Sequence, residues 1–419
     1  MLLPSKPKGS SASPGYTARK RILFVAMANS IHVARWLELL KSEPFDARLI
    51  SSNASTSIRN PKRSVHELIR PLLTKRSASQ QLQLTIPIFS KFASSIMWRI
   101  DRFTSDWVRG FYIWLNIMLF RPHLVHVLEL QNGGYPVLRA YSLLPKNRRP
   151  LLFVTNYGSD VYWYRNFPSH NKRLRKLLNL ANAYSAECQR DVVIARELGF
   201  TGCVLRTCPV TGGLNPSTLP DIQSISNLAN RTTIVVKGYQ GTWGQAVEAL
   251  DAIAKANREI ISRFKIEVYS CDSETELAAG KLKGLGLDVL IYGHGVLGHS
   301  EMLDLFQRSR VYLGLSRSDG ISTSMLEAMS QGAVPIQTDT ACASEWIRSK
   351  RDGYVVSLDD QMGISRGLEK ILSDDEFAHN AQLVNQATIR EKYDQGKIRE
   401  LVNSYYAEIL GSSTSLGKE

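Results

Sequence analysis

The 419-residue chain has few cysteines, no long apolar run and none of the short motifs that mark common hydrolases. Its five cysteines show no metal-type spacing, and their odd number predicts reduced thiols, although a Cys203–Cys208 pairing stays open. The most membrane-like stretch, Phe111–Phe120, is about half as long as a bilayer-crossing helix, so no transmembrane segment is predicted. Ser-His-Asp and Cys-His signatures and a GxxxxGK[ST] phosphate loop are also missing.

Negative charge is scarce at the start of the chain. The net charge is +14, and residues 1–125 hold 19 Lys and Arg against 6 Asp and Glu. Such an N-terminal domain suits an anionic membrane surface or an anionic acceptor; without any nucleic-acid-binding motif, no nucleic acid partner is predicted. The segment Phe89–Pro122 mixes tryptophan with Arg and Lys, and is either a membrane-surface helix or a buried helix. We predict a cytoplasmic protein and leave open a peripheral position at the inner face of the membrane.

Two series of short strand-like runs alternate with helical segments along the chain. The first series begins at Arg21–Met27 and the second at Thr232–Tyr239, after a stretch rich in Pro, Gly, Asn and Ser. This alternation predicts an α/β protein with two Rossmann-like, doubly wound parallel-sheet domains that face a central cleft. The predicted parts are a disordered basic lead over 1–20, an N-terminal domain over 21–208, a hinge over 209–231, a C-terminal domain over 232–376 and a helical tail over 377–419 that packs back towards the N-terminal domain.

One stretch of the second series combines the elements of an anion site. A strand runs into Asp319 and Gly320, and a helix is predicted to begin near Ser322–Ser324. Free N–H groups at a helix start bind phosphate, glycine leaves room for it, and the hydroxyls add donors. Glu327, one turn further on, can accept hydrogen bonds from a ribose diol. This spacing indicates a site for a nucleoside-diphosphate sugar, although Ser324 and Glu327 also match a helix capping box.

The same region resembles the retaining glycosyltransferases of family 4, which have the GT-B fold. The matching features are an acid at Asp319, the Glu327-Ala328-Met329 triplet after seven intervening residues, Gly332, and the Pro335-Ile336 strand. In the N-terminal half, Val154–Val161 resembles the family's Thr-x-His-Gly-Ser-Asp stretch. The resemblance covers roughly Arg21–Leu372 and is strongest over Ile291–Val356.

The resemblance implies retaining transfer of a sugar from a nucleoside diphosphate to a glycan, a lipid-linked acceptor or a small molecule, with no metal or other cofactor. It also implies that the N-terminal domain over 21–208 binds the acceptor and that the C-terminal domain over 232–376 binds the nucleotide sugar. The implied catalytic residues are Asp319 and Lys237. The expected donor-binding residues are Glu327, Gly320, Ile321, Ser322, Thr323, Ser324, Gly238, His294 and Gly295. The expected acceptor-binding residues, which follow strands on the cleft side, are Asn29, His32, Gln131, Tyr157 and Asp160.

Departures from the family pattern keep a second hypothesis open. Asp319 stands where the family has Glu, and Tyr157 stands where it has His. No second basic residue follows Lys237 at the expected distance, where Gln245 lies nearby. The alternative is therefore a non-catalytic GT-B protein that binds nucleotide sugar or glycan.

Overall fold

The computed structural model describes residues 19–53, 65–74, 80–87, 99–101, 103–220 and 227–412. Within them the chain forms one seven-stranded and one six-stranded parallel sheet, with helices between successive strands. This confirms the predicted α/β class with two Rossmann-like domains. The predicted basic lead lies outside the described residues up to position 18, as do the first ten residues of the segment Phe89–Pro122.

The N-terminal sheet has the strand order β3-β2-β1-β4-β5-β6-β7, and all its neighbours pair in parallel. Its strands are built from nearly continuous apolar runs, as expected of parallel sheets that helices cover on both faces. The strands are β1 Lys20–Ala26, β2 Phe45–Ser51, β3 Gln83–Thr85, β4 Leu124–Leu128, β5 Leu151–Thr155, β6 Ala183–Ser185 and β7 Cys203–Val204.

The C-terminal sheet has the order β10-β9-β8-β11-β12-β13, again parallel throughout. The order reverses direction between β8 and β11, which is where open α/β sheets bind ligands at the carboxyl ends of their strands. The strands are β8 Thr233–Lys237, β9 Lys265–Cys271, β10 Val289–Gly293, β11 Ser309–Gly314, β12 Val334–Thr338 and β13 Tyr354–Val356.

The helices flank both sheets, and within the described residues none combines the length and apolarity needed to span a lipid bilayer. The N-terminal helices are α1 Ile31–Leu39, α2 Arg70–Thr74, α3 Trp107–Phe120, α4 Tyr135–Ser142, α5 Ser159–Tyr162, α6 Pro168–Leu180 and α7 Gln189–Glu197. The C-terminal helices are α8 Ala246–Lys255, α9 Arg258–Ile261, α10 Ser273–Gly284, α11 His299–Gln307, α12 Thr323–Ser330, α13 Gln361–Ser373, α14 Asp375–Lys392 and α15 Gln395–Ser412.

The last helix, α15, lies against the N-terminal sheet. The hydroxyl group of Tyr406 accepts a hydrogen bond from Trp36 Nε1 at 2.9 Å and lies 2.7 Å from His126 Nδ1. All three side chains are buried beside Phe24 and Phe153. The chain therefore crosses from the C-terminal domain back to the N-terminal one, and this crossing ties the two domains together with buried aromatic groups.

The two domains also touch directly at the loop that precedes α12. Ser318 Oγ lies 3.0 Å from Ser159 Oγ, and Arg190 donates to the carbonyl oxygens of Asp319 and Thr340 at 2.8 and 2.7 Å. Gly158 has φ +63°, and a Cβ there would lie 1.8 Å from the Gly320 nitrogen. Glycine is required at this position both by its backbone conformation and by the approach of the other domain.

Candidate active site in the interdomain cleft

A cavity of about 430 Å³ opens between the carboxyl ends of the two sheets. Eight of its lining residues were predicted from the sequence: His32, Tyr157, Lys237, Asp319, Ile321, Thr323, Ser324 and Glu327. The other lining residues are Ile31, Arg35, Glu187, Val210, Thr211 and His299. The fold therefore brings predicted donor-side and acceptor-side residues to one cavity.

Helix α12 begins at the wall of this cavity. Its N-cap is Ser322, whose hydroxyl oxygen accepts a hydrogen bond from the Met325 N–H at 3.4 Å. The first-turn amides of Thr323 and Ser324 have no partner within a helix, so they present donors and a positive dipole end. The capping box considered from the sequence does not form, because Glu327 lies in the second turn and its carboxylate bonds elsewhere.

The carboxylate of Glu327 is held by basic groups from both domains. Its Oε1 atom lies 2.9 Å from His299 Nε2 and 3.7 Å from Arg35 Nη1. Arg35 belongs to α1 of the N-terminal domain, and its Nη2 atom is 3.5 Å from the same His299 nitrogen. Glu327 is 7% exposed but lines the cavity, so its carboxylate faces charged neighbours and not an apolar interior.

Lys237 and Asp319 both line the C-terminal side of the cavity. Lys237 ends β8, and its Nζ atom lies 5.5 Å from the centre of the Tyr239 ring. Burial alone would lower the pKa of Lys237, but Tyr312, Asp319 and Tyr239 outweigh it and raise that pKa, so the ammonium stays charged at neutral pH. Burial raises the pKa of Asp319. The charge of Lys237 and a hydrogen bond of 2.9 Å from the Gly320 N–H act in the opposite direction but do not cancel this effect.

Glu187, from the loop after β6, reaches across the domain boundary. Its Oε1 atom accepts a hydrogen bond from the Val210 N–H at 3.1 Å. A Cβ on Gly320 would lie 2.3 Å from the other carboxylate oxygen of Glu187, so the glycine is needed for this packing. Burial, and then the nearby charge of Asp319, raise the pKa of Glu187 well above its usual range.

His32 and Tyr157 present unpaired polar atoms on the N-terminal side. Among the described residues, neither His32 Nδ1 nor the Tyr157 hydroxyl has a hydrogen-bond partner, although both atoms are buried. Their rings lie 5.6 Å apart. Burial, with help from Arg35, lowers the pKa of His32 to about 4, so the imidazole is neutral at physiological pH. Buried unpaired polar atoms that line a cavity are suited to binding a polar ligand.

Three of the predicted acceptor residues lie outside the lining of this cavity. Asn29 accepts a hydrogen bond from Asn53 at 2.8 Å, and Gln131 donates to the Asp160 carbonyl at 2.8 Å. The carboxylate of Asp160 accepts two backbone N–H bonds, one of them from Leu130 at 3.0 Å. In this structure the three side chains hold the loops that shape the cleft, and a direct role in acceptor binding stays a prediction.

Five predicted donor residues also lie outside the cavity lining: Gly320, Ser322, Gly238, His294 and Gly295. Ser322 is buried as the cap of α12, and Gly238 is packed so closely that a Cβ would lie 2.6 Å from the Tyr269 carbonyl oxygen. His294 and Gly295 are exposed in the turn after β10. Their roles in binding a donor that extends beyond the cavity stay predictions.

The sequence reasoning missed Arg35, Glu187 and His299. One signal pointed to Arg35, because it lies three residues after His32 on the same helix and so shares its face. Glu187 follows a strand, as the predicted site residues do, but a single acid in that position is common. His299 gave no signal, because its partner Glu327 lies on a different helix.

Among the described residues, one group of side chains outside the cleft has donor atoms close enough together to hold a metal ion. Sγ of Cys188 lies 2.7 Å from Sγ of Cys342, and Glu345 completes a group of three side chains with donor atoms within 4.8 Å of one another. None of the three residues lines the cleft cavity. All five cysteines are free thiols, including Cys203 and Cys208. Metal independence of the cleft stays a prediction.

A known protein family matches a segment in the C-terminal half of the chain. Residues 274–388 match the family described as "Glycosyl transferases group 1". A curated relative from Campylobacter jejuni is 25% identical over 200 residues, 47% of this chain and 54% of the relative. It is named GalNAc-alpha-(1->4)-GalNAc-alpha-(1->3)-diNAcBac-PP-undecaprenol alpha-1,4-N-acetyl-D-galactosaminyltransferase. The match thus spans about half the length of that relative.

Solved structures share the architecture over nearly the whole chain. Sucrose-phosphate synthase from Thermosynechococcus elongatus superposes with a TM-score of 0.70 at 13% identity, covering 94% of this chain and 100% of that one. HepE from Anabaena, solved with UDP and glucose, gives 0.62 at 12% identity, covering 93% and 100%. These likenesses confirm the GT-B fold. The match of residues 274–388 to glycosyl transferases group 1 confirms the predicted resemblance to glycosyltransferases. Membership of family 4 stays a prediction.

Proposed function

From a GT-B fold whose C-terminal domain matches the glycosyl transferases of group 1, we propose that this protein is a retaining glycosyltransferase. It moves a sugar from a nucleoside diphosphate to a glycan, lipid-linked or small-molecule acceptor. The observation that carries the proposal is that Lys237, Asp319, Glu327 and the amide end of α12 line one cavity. The cation and the free amides suit a diphosphate, and the carboxylates of Asp319 and Glu327 suit its sugar and its ribose.

The donor diphosphate lies, in this proposal, between the start of α12 and Lys237. The family pattern has a second basic residue near Lys237 that this sequence lacks, and Arg35 supplies that charge from the opposite domain. Arg35 and Lys237 line the same cavity, and Arg35 already contacts Glu327. Binding of the diphosphate would then draw the two domains together, since one cation comes from each.

The reaction exchanges two bonds on one face of the sugar. The acceptor hydroxyl oxygen bonds to the anomeric carbon as the bond from that carbon to the diphosphate oxygen breaks. The departing phosphate oxygen takes the acceptor proton, so no separate base is needed. Charge grows on the diphosphate during this step, and pre-organised cations and amides stabilise it in the transition state. Asp319 contacts the sugar, while neutral His32 and Tyr157 bind acceptor hydroxyls.

The first experiment is a thermal-shift screen of the purified protein against nucleotide sugars. A donor at 100 times its dissociation constant stabilises the folded state by about 2.7 kcal/mol. The stabilising donor is then incubated with candidate acceptors, and the anomeric configuration of the product is read by NMR. An inverted product would refute the retaining mechanism.

Substitution of Asp319 tests whether this residue takes part in sugar transfer. We expect Asp319→Asn to keep the thermal midpoint and donor binding while transfer is lost. Wild-type turnover in this variant would remove Asp319 from the mechanism. Donor binding by the wild-type protein, with neither transfer nor hydrolysis for any acceptor, would favour the non-catalytic alternative that the departures at Asp319 and Tyr157 keep open.

A further inference from the structure

Helix α3 carries an uncharged apolar surface that no part of the described chain covers. The only charged residue between Trp107 and Phe120 is Arg109, and its guanidinium turns inward to the carboxylates of Asp101 and Asp106. On the outer side Phe111 is 54% exposed and Leu119 is 71% exposed. A solvent-facing helix normally carries charges on that side, so this surface is unusual for a protein that stays in water.

The exposed apolar side chains form one stripe along the helix. Phe103 lies just before α3 and is 90% exposed, and Trp107, Phe111, Leu115, Met118 and Leu119 follow it at spacings of one, three or four residues. The opposite side packs so tightly on α4 that a Cβ on Gly110 would lie 2.3 Å from Arg139 Cβ. The helix is therefore fixed in the domain with its apolar stripe outward.

Positive charge surrounds the stripe. The guanidinium of Arg139 lies 5.0 Å from the Trp107 ring centre, and that of Arg48 lies 4.3 Å from the Phe120 ring centre. At the end of α3, a cleft of about 620 Å³ is lined by Arg121, Arg148 and Arg149 among other residues. An apolar stripe with a cationic rim is the composition of helices that lie in the interface of anionic membranes.

The start of the stripe lies at the edge of the sheet that faces the active-site cleft. Arg109, in the first turn of α3, donates to the carbonyl oxygens of Ser52 and Asn132 at 2.8 and 3.0 Å. Ser52 follows β2 and Asn132 follows β4, and the carboxyl ends of this sheet's strands also carry His32 and Tyr157 of the cavity. A membrane on the stripe would thus lie beside the acceptor side of the cleft.

We propose that the outer face of α3, from Phe103 to Leu119, docks the protein on an anionic lipid membrane. The apolar side chains enter the headgroup region, and Arg48, Arg121, Arg139 and Arg148 contact lipid phosphates. Docking does not depend on the transferase proposal, since it is a binding property of the N-terminal domain. If both hold, the membrane presents the acceptor to the cleft.

The test is flotation of the full chain with vesicles of phosphatidylcholine alone, or with about one third phosphatidylglycerol. We expect binding to the anionic vesicles and at least tenfold less in the double variant Phe111→Ser/Leu119→Ser. The matched control is Leu277→Ser, since Leu277 is 74% exposed on α10 of the other domain. That control should bind vesicles like the wild type.

Several outcomes would overturn docking. They are failure of the wild-type protein to float with anionic vesicles, equal flotation of the double variant, or equal loss in the Leu277→Ser control. If the wild-type protein does not bind vesicles but sediments as a dimer, and the double variant sediments as a monomer, the stripe is a self-association surface instead. Nucleotide-sugar binding, measured on the same proteins without lipid, should be the same in all of them, so failure of docking and failure of the transferase proposal are separable.

Discussion

Replacing Lys237 by methionine tests the electrostatic basis of the proposed donor site. Methionine keeps most of the apolar stem and removes the ammonium group. With about 4 Å to a phosphate oxygen and an effective dielectric constant of about 20, one such charge pair is worth about 4 kcal/mol. Removal of a single pre-organised donor from an active site typically costs about 2.7–4 kcal/mol, or a factor of about 10²–10³ in kcat. We expect a loss of that size in turnover.

The fold should survive this change. Among the described residues, no hydrogen bond or ion pair to the Lys237 side chain is observed, but Tyr312, Asp319 and Tyr239 raise the pKa of its ammonium, so its charge favours the folded state. We therefore expect Lys237→Met to stay folded and to unfold at a slightly lower temperature than the wild type. Lys237→Arg is the matched variant, because it restores the charge that the family pattern carries there, and it should recover most of the turnover.

The assay combines steady-state transfer with calorimetric titration of UDP, the nucleotide present in the HepE structure. We expect Lys237→Met to weaken UDP binding at least tenfold in a folded protein. Wild-type affinity and kcat in Lys237→Met would refute the assignment of a diphosphate to this side of the cavity. A parallel loss in Lys237→Met and Lys237→Arg would show that shape, and not charge, matters at this position.

Three further predictions address the ribose contact, the domain contact and the pH dependence of stability. Glu327→Gln should weaken UDP binding by about 1.5–3 kcal/mol in calorimetry, because hydrogen bonds to a charged acceptor are lost; unchanged affinity contradicts the ribose role. Gly158→Ala should lower both turnover and the urea midpoint, with a loss of about 1–3 kcal/mol in unfolding free energy. The positive φ of Gly158 and the nearby Gly320 nitrogen leave no room for a Cβ. An unchanged urea midpoint would contradict the close domain contact. Burial, then Asp160, raise the pKa of Glu129 to about 8, so the folded state keeps a proton that the unfolded chain releases above about pH 4.5. The unfolding free energy should therefore fall as pH rises from 5 to 8.5, and by about 4 kcal/mol less in Glu129→Gln; equal slopes in urea titrations would refute this reasoning.

The fold and the donor half of the site were predictable because their determinants are local in sequence. Apolar runs of strand length alternate with helical segments, and parallel pairing then leaves few arrangements of the sheets. Asp319 to Glu327 is one strand–turn–helix unit, so the order of its residues already specifies which groups meet a diphosphate. The helix indeed begins at Thr323 with Ser322 as its cap, within the predicted bounds.

The sequence by itself determined two parallel-sheet domains, a positively charged N-terminal half and the anion-binding turn before α12. Only the tertiary structure decided that Arg35 and His299 hold Glu327, that Glu187 packs on Gly320 and that the α3 stripe faces outward. These contacts join loops and helices that are far apart in the chain, and nothing in the spacing of one segment records the other. They arise when the carboxyl ends of separate strands meet at one edge and the two domains close on each other.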